Sequence, residues 1–265
     1  MAETVADAFD RSVEEGHQRL TRSVPSLVAT GIVGGLDVSV GIFAMLIVHH
    51  ATGSEVLGAL AFGVGFLALT LARSELFTEN FLVPINAVVA ARAPWWSVLR
   101  LWVGTAAFNL LGGWVFMGLV MMGFPNLRGT ALETAAHPIS LGITREAFAS
   151  AVVAGATITL MTWLEHSTES VVAKLVSAWA IAFILAAAPL HHAIVISLEI
   201  FAGLHAGAPF GYADWLGALA WAALGNAIGG ILLVTALRLL QVGPTKLQRE
   251  REAGHAEAGA VERGA

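Results

Sequence analysis

Arg73-Ser74-Glu75-Leu76-Phe77-Thr78-Glu79-Asn80 cuts a long apolar run in two. Apolar sequence leads into it from Val56 and resumes from Phe81 to Ala90. A second apolar run, from Val171 to Leu204, is cut in the same way by Pro189-Leu190-His191-His192. Asn109-Leu110-Leu111-Gly112-Gly113 and Asn226-Ala227-Ile228-Gly229-Gly230 recur at the same offset that separates Glu75 from His192. A helix broken inside hydrocarbon exposes backbone groups, each costing several kcal/mol unless protein or water satisfies them. Matching breaks in two halves of a chain therefore point to a pore or binding site near the middle of a membrane.

Composition agrees. The chain has 265 residues, 57% of them hydrophobic and 12% charged, with a mean hydropathy of +0.75. A soluble domain carries about 25% charged residues, so this surface faces lipid. At roughly 20 apolar residues per crossing, six spans are expected: 26–48, the broken 56–90, 98–122, 148–163, the broken 171–204 and 215–240. The predicted fold is an all-α integral membrane protein of six transmembrane helices, arranged as two inverted three-helix repeats with the second and fifth helices broken.

Residues 1–24 read as a cytoplasmic segment, with Val5, Phe9, Val13 and Leu20 near the spacing of a short amphipathic helix. Residues 25–242 form the six-span unit, residues 123–144 a polar link within it, and residues 243–265 a disordered, charged cytoplasmic tail. Of the 14 Lys and Arg residues, only Arg128 and Arg145 fall on the outer side and Arg73 within the membrane, when both termini are placed inside. Trp95, Trp96, Trp163 and Trp215 lie near span ends, where aromatic belts form. The absence of cysteine excludes disulfide and thiol chemistry. A net charge of −5 argues against nucleic acid as a partner.

The breaks hold the chemistry. A half-helix N-terminus attracts anions through its free N–H groups, and the Thr78 hydroxyl can donate to an anion or cap such a half-helix. His192 is an ionisable residue inside a span, a functional candidate by default, and histidine changes charge near neutral pH. Asn226 can hydrogen-bond His192 or its loop, and Asn109 can do the same in the other half. Arg73 is expected to pair with Glu75 or Glu79, because buried charges are costly alone. His49, His50, His137, His166 and His205 lack compact metal-ligand spacing. No nucleophile constellation, cofactor motif or metal motif suggests an enzyme.

Glu75-Leu76-Phe77-Thr78, His192, and Gly225-Asn226-Ala227-Ile228-Gly229-Gly230 together resemble the formate/nitrite transporter family over roughly residues 5–242. Arg73, Glu79 and His191 depart from the familiar members and resemble its divergent YfdC-type branch. The resemblance implies an aquaporin-like protomer, a homopentamer in a bacterial inner membrane, and passage of small monovalent anions or their weak acids, with no cofactor. It implies that Thr78 and His192 flank the central site, with Asn226 supporting His192. Phe62 and Leu185 would form an inner apolar constriction, and Leu76, Phe77 and Leu190 an outer one. Proton linkage through His192 follows as an expectation. A channel for neutral solutes or cations, or a closed scaffold or sensor, stands as the alternative.

Overall fold

The computed structural model describes residues 4–264 and is all-helical, with no strand among the described residues. Helix α1 (Val5–Thr21) starts at a capping box: the Thr4 backbone N–H donates to the Asp7 carboxylate at 2.8 Å, and the Asp7 N–H donates to Thr4 Oγ1 at 3.2 Å. Its apolar stripe of Phe9, Val13 and Leu20 is buried, as the spacing predicts. Helices α2 (Val24–Thr52), α3 (Glu55–Ala72), α5 (Trp96–Gly123) and α7 (Arg145–His166) are each long and apolar enough to cross a membrane. So is the continuous run of α10 (Tyr212–Ile228), the π-helical turn Gly229–Thr235 and α11 (Ala236–Val242). Many outward side chains are bare and apolar; Val103 is 61% exposed, Leu119 58% and Val176 60%. Such a surface suits lipid or other apolar neighbours rather than water.

Both breaks occur where the sequence puts them. Helix α3 stops at Arg73, in the left-handed conformation (φ 53°), and a 3₁₀ turn (Phe77–Phe81) leads into the short α4 (Val83–Val89). Helix α8 (Val171–Ala187) stops before Pro189, and α9 (Ala193–Ala206) begins behind His192. Around them lies the main core, with Val38, Phe62, Phe66, Leu76, Ile158, Leu185 and Leu198 all at or near zero exposure.

Two close approaches seat the helices that carry Asn109 and Asn226. A Cβ on Gly35 would collide with the Asn109 carbonyl oxygen, and one on Gly155 with that of Asn226. Only glycine lets α2 reach α5, and α7 reach α10, at these points.

Three expectations need correction. Part of the predicted link 123–144 is a helix, α6 (Arg128–Leu141), whose Ala131 and Ala135 are fully buried; Ala135 packs over Gly203 of α9. Small residues four apart make a narrow buried stripe without a strong apolar signal. The region expected to be a disordered tail forms α12 (Pro244–Gly264); Leu247 packs against Phe9, Val13 and Ala90, and Lys246 Nζ bonds Asp10 at 2.8 Å. Trp163 is not a belt residue: it is buried against Ala8, Leu82 and Val83, with the Arg238 guanidinium 4.9 Å from its ring centre.

Candidate functional site

Once Pro189 has ended α8, the chain turns tightly: the Leu190 N–H donates to the Leu185 carbonyl at 2.9 Å and the His192 N–H to the Leu190 carbonyl at 2.7 Å. His192 is then the N-cap of α9, its Nδ1 accepting the Val195 N–H at 3.3 Å. Its other ring nitrogen, Nε2, lies 2.6 Å from Thr78 Oγ1, contributed by the 3₁₀ turn of the other break. Both residues are fully buried. With Nδ1 accepting, the proton of a neutral His192 resides on Nε2 and is donated to the Thr78 oxygen, an assignment made from the hydrogen-bond network. That bond leaves the hydroxyl proton of Thr78 available for an acceptor.

Two asparagines fasten the two loops with the same set of bonds. Asn226 Oδ1 accepts the Ala193 N–H at 2.8 Å, and its Nδ2 donates to the carbonyls of Ala151 at 2.7 Å and His191 at 2.9 Å. Asn109 Oδ1 accepts the Phe77 N–H at 2.9 Å, and its Nδ2 donates to the carbonyls of Gly31 at 2.8 Å and Glu75 at 2.9 Å. In each half one amide side chain satisfies backbone groups that the break leaves without helical partners. Asn226 thus supports the turn that carries His192 and does not touch its ring.

The charges are arranged differently from the sequence expectation. Arg73 is exposed and is not the partner of Glu75 or Glu79. Glu75, nearly fully buried, is met by Arg22 Nη2 at 2.5 Å and Arg19 Nε at 3.4 Å, both carried in by the C-terminal end of α1. Arg19 also donates to Asn80 Oδ1 at 3.0 Å and to Glu15, and Glu15 lies 3.0 Å from His166 Nε2. Burial acts against the charged form of Glu15, yet Arg19 and His166 hold its carboxyl well below the usual glutamate range. Burial likewise opposes the Arg19 charge, but Glu75, Glu15 and Glu79 raise its pKa above the ordinary arginine value. Glu79 accepts the Leu76 N–H at 2.8 Å.

Arg19, Arg22, Arg73, Glu75, Glu79 and Glu165 line one cavity of about 840 Å³ beside the first break. Arg73 therefore lines this cavity and not the buried centre. Phe62, Leu76 and Leu185 are buried in the main core, with Phe77 and Leu190 packed against it. Sequence reasoning missed Arg19, Arg22, Glu15 and His166. The available signal was the Glu15–Arg19 pair at i, i+4 on an amphipathic helix, which says nothing of a partner beyond residue 70.

Residues 6–240 match the family model described as "Formate/nitrite transporter". The chain is similar to the Bacillus thuringiensis "Formate channel BtFdhC", 27% identical over 72% of this chain and 79% of that one. It is also similar to the Escherichia coli "Inner membrane protein YfdC", 25% identical over 86% of this chain and 76% of that one. Its fold matches a solved "Pentameric formate channel with formate bound" with a TM-score of 0.66 and 18% identity, over 82% of this chain and 96% of that one. With nearly its whole length matched, and with its interrupted helices meeting at Thr78 and His192, the chain belongs to the formate/nitrite transporter family, whose members are membrane transporters and channels and not enzymes.

Proposed function

We propose that this protein is a membrane channel for small monovalent anions, or their weak acids, of the formate and nitrite type. The observation that carries this reading is the fully buried pair of Thr78 and His192, one residue from each break, 2.6 Å apart. The Thr78 O–H is a free donor at a place otherwise walled by apolar side chains, and the His192 N–H, given to the Thr78 oxygen, can turn to an arriving anion; an anion stripped of water needs such donors. Phe62 and Leu185 on one side, and Leu76, Phe77 and Leu190 on the other, are the apolar constrictions that would do the stripping. Neutralising the ion by a proton lowers the cost of crossing them, which makes passage linked to a proton the favoured mode. Glu75, Glu79 and Arg73 set the charge of the cavity beside the first break, which serves as the vestibule.

The protomer is proposed to hold six spans in two inverted repeats, α8 and α9 together making the fifth. The identical bond sets of Asn109 and Asn226 support this. Basic residues concentrated at the α1 and α12 ends support cytoplasmic termini in a bacterial inner membrane. A homopentamer with one path per protomer is supported by the likeness to the pentameric formate channel and by the bare apolar helix faces.

Purified protein in liposomes, assayed for formate, nitrite and a neutral solute such as glycerol, tests the proposal. Anion flux above that of empty vesicles is expected, with glycerol excluded. His192→Ala is expected to lower anion flux on the order of tenfold to a hundredfold, the effect of losing a hydrogen bond of roughly 1.5–3 kcal/mol to a charged group. Thr78→Val is expected to fall in the same range. Equal flux in wild type and His192→Ala removes the imidazole from the path, and glycerol flux exceeding formate flux favours a neutral-solute channel.

A further inference from the structure

We infer that His191, with His137 beside it, is the proton-exchanging group on the α6 side of the central site and gives the anion its proton before it reaches Thr78 and His192. This rests on the anion-path reading above.

Three histidines succeed one another from the surface to the centre, and their nitrogens are differently engaged. His192 has both ring nitrogens committed, Nδ1 to the Val195 N–H and Nε2 to Thr78. Taking up a proton would force it to give up the cap of α9. His191 is only 2% exposed, yet its Nε2 has no hydrogen-bond partner among the described residues. A buried ring nitrogen without a partner is costly and is the kind of atom a passing ligand satisfies. The backbone of His191 is pinned at both ends, its N–H donating to Ser150 Oγ at 3.1 Å and its carbonyl accepting from Asn226 Nδ2 at 2.9 Å, so the stem that carries the ring is fixed. His137 lies on the exposed side of α6, with its ring centre 6.4 Å from that of His191 and nearly perpendicular to it. One ring is therefore exposed and the other buried.

Other charged groups on the packed elements are engaged elsewhere or stand apart. Glu79 is bonded to the Leu76 N–H, Asp37 to Ser74, and Asp214 to the start of its own helix. His50 meets Thr130, His205 meets Trp114, and Arg100 meets the carbonyls of Leu20 and Arg22. Arg128 bonds the Met121 carbonyl, Glu165 accepts from Thr70, and Glu199 lies seven residues past His192 on α9. Glu133, Arg145 and Glu146 are exposed. The His137 ring is the titratable neighbour in ring contact with His191.

The step is a proton transfer. The N–H bond of a His191 imidazolium breaks as an O–H bond forms on the anion, leaving neutral imidazole and neutral acid. His191 regains its proton from bulk water by way of His137. Histidine is suited to this as a general acid and proton shuttle.

Proteoliposomes with formate as the probe and a trapped pH dye decide it, across about pH 4 to 8. Bulk formic acid alone rises tenfold for each unit fall in pH until its own pKa is reached. Wild-type flux is expected to bend away from that line with the inflection of one imidazole. His191→Asn is expected to remove the inflection and to lower flux at the acid end by about tenfold or more, since a positioned proton donor contributes about a hundredfold to ten-thousandfold. His137→Gln, at an exposed position, is expected to move the inflection without disturbing assembly. If His191→Asn lowers flux equally at every pH and keeps the inflection, its role is structural and the inference is wrong. The inference is equally wrong if only His192→Asn removes the inflection. Should His191→Asn fail to assemble, an inflection unmoved in His137→Gln overturns the relay by itself. A wild-type protein that passes no anion at any pH is a separate result, and it removes the channel reading on which the relay stands.

Discussion

Replacing Asn226 by leucine is expected to leave no correctly folded protein. The two side chains are close in volume, so the change tests bonding more than packing. It removes three buried hydrogen bonds at once and orphans the Ala193 N–H and the His191 carbonyl, while the Ala151 carbonyl, inside α7, keeps its helical partner. Each orphaned buried group costs about 1–3 kcal/mol. For two groups that is roughly 2–6 kcal/mol, a large share of the stability of a typical domain, about 5–15 kcal/mol. Bonds between intact transmembrane helices average less than this, since the polar group finds other partners. Here the orphaned N–H and His191 carbonyl belong to a break, where no helical partner exists. Asn109→Leu, which orphans the Phe77 N–H and the Glu75 carbonyl, is expected to fail in the same way. Size-exclusion chromatography of fluorescently tagged variants in mild detergent reads the outcome: the wild type gives one sharp peak, and both variants give aggregate or none. A sharp Asn226→Leu peak with a wild-type melting temperature would falsify the view that these amides hold the breaks.

The sequence shows where the helices stop because the physics of stopping is local. Pro189 cannot continue a helix, and charged residues in the middle of an apolar run are too costly to leave there without purpose. The Asn–Gly–Gly pairs are legible for a similar reason: an amide inside a span needs partners, and glycines beside it allow the backbone that supplies them to come close. What supplies the counter-charge to Glu75 is not local. Arg73 stands two residues away in sequence, but its left-handed backbone (φ 53°) ends α3 and leaves the side chain exposed. Arg19 and Arg22 do the pairing instead, delivered by a helix whose own sequence records only that it has an apolar face. Helix α6 escaped detection because its buried stripe is alanine and because Pro138 lies inside it. Periodicity reports large apolar side chains, and small ones in a close helix contact leave little trace. The unpartnered nitrogen of His191 was equally illegible, since adjacency to His192 carries no information about which ring is satisfied.

Arg22→Gln is expected to destabilise the protein and to slow anion flux, and a second change, Glu75→Gln, is expected to reverse most of both effects. The Glu75 side chain is 3% exposed and that of Arg22 20%, so the pair is largely withdrawn from water. Removing one partner of a buried ion pair costs about 3–5 kcal/mol, because the other charge is left uncompensated. Arg19 cannot replace Arg22 without loss, as it stands farther off at 3.4 Å and also serves Glu15 and Asn80. At about 2–4 °C per kcal/mol for a chain near this length, the melting temperature of Arg22→Gln should fall by roughly 10 °C. The stranded carboxylate faces the vestibule beside Glu79 and Glu165. It would repel an incoming anion, and even 1.4 kcal/mol of repulsion slows passage on the order of tenfold. Glu75→Gln alone should be milder, since Arg22 is partly exposed and borders the cavity. In the double variant two amides of similar shape face each other and no net charge is buried, so stability and flux should both return toward wild type, giving a coupling energy well above the few tenths of a kcal/mol seen for independent sites. The thermal midpoint and liposome formate flux of the four proteins complete the cycle. Additive losses in the double variant would show that Arg22 acts on α1 alone, and that the N-terminal helix does not supply the counter-ion of the first break.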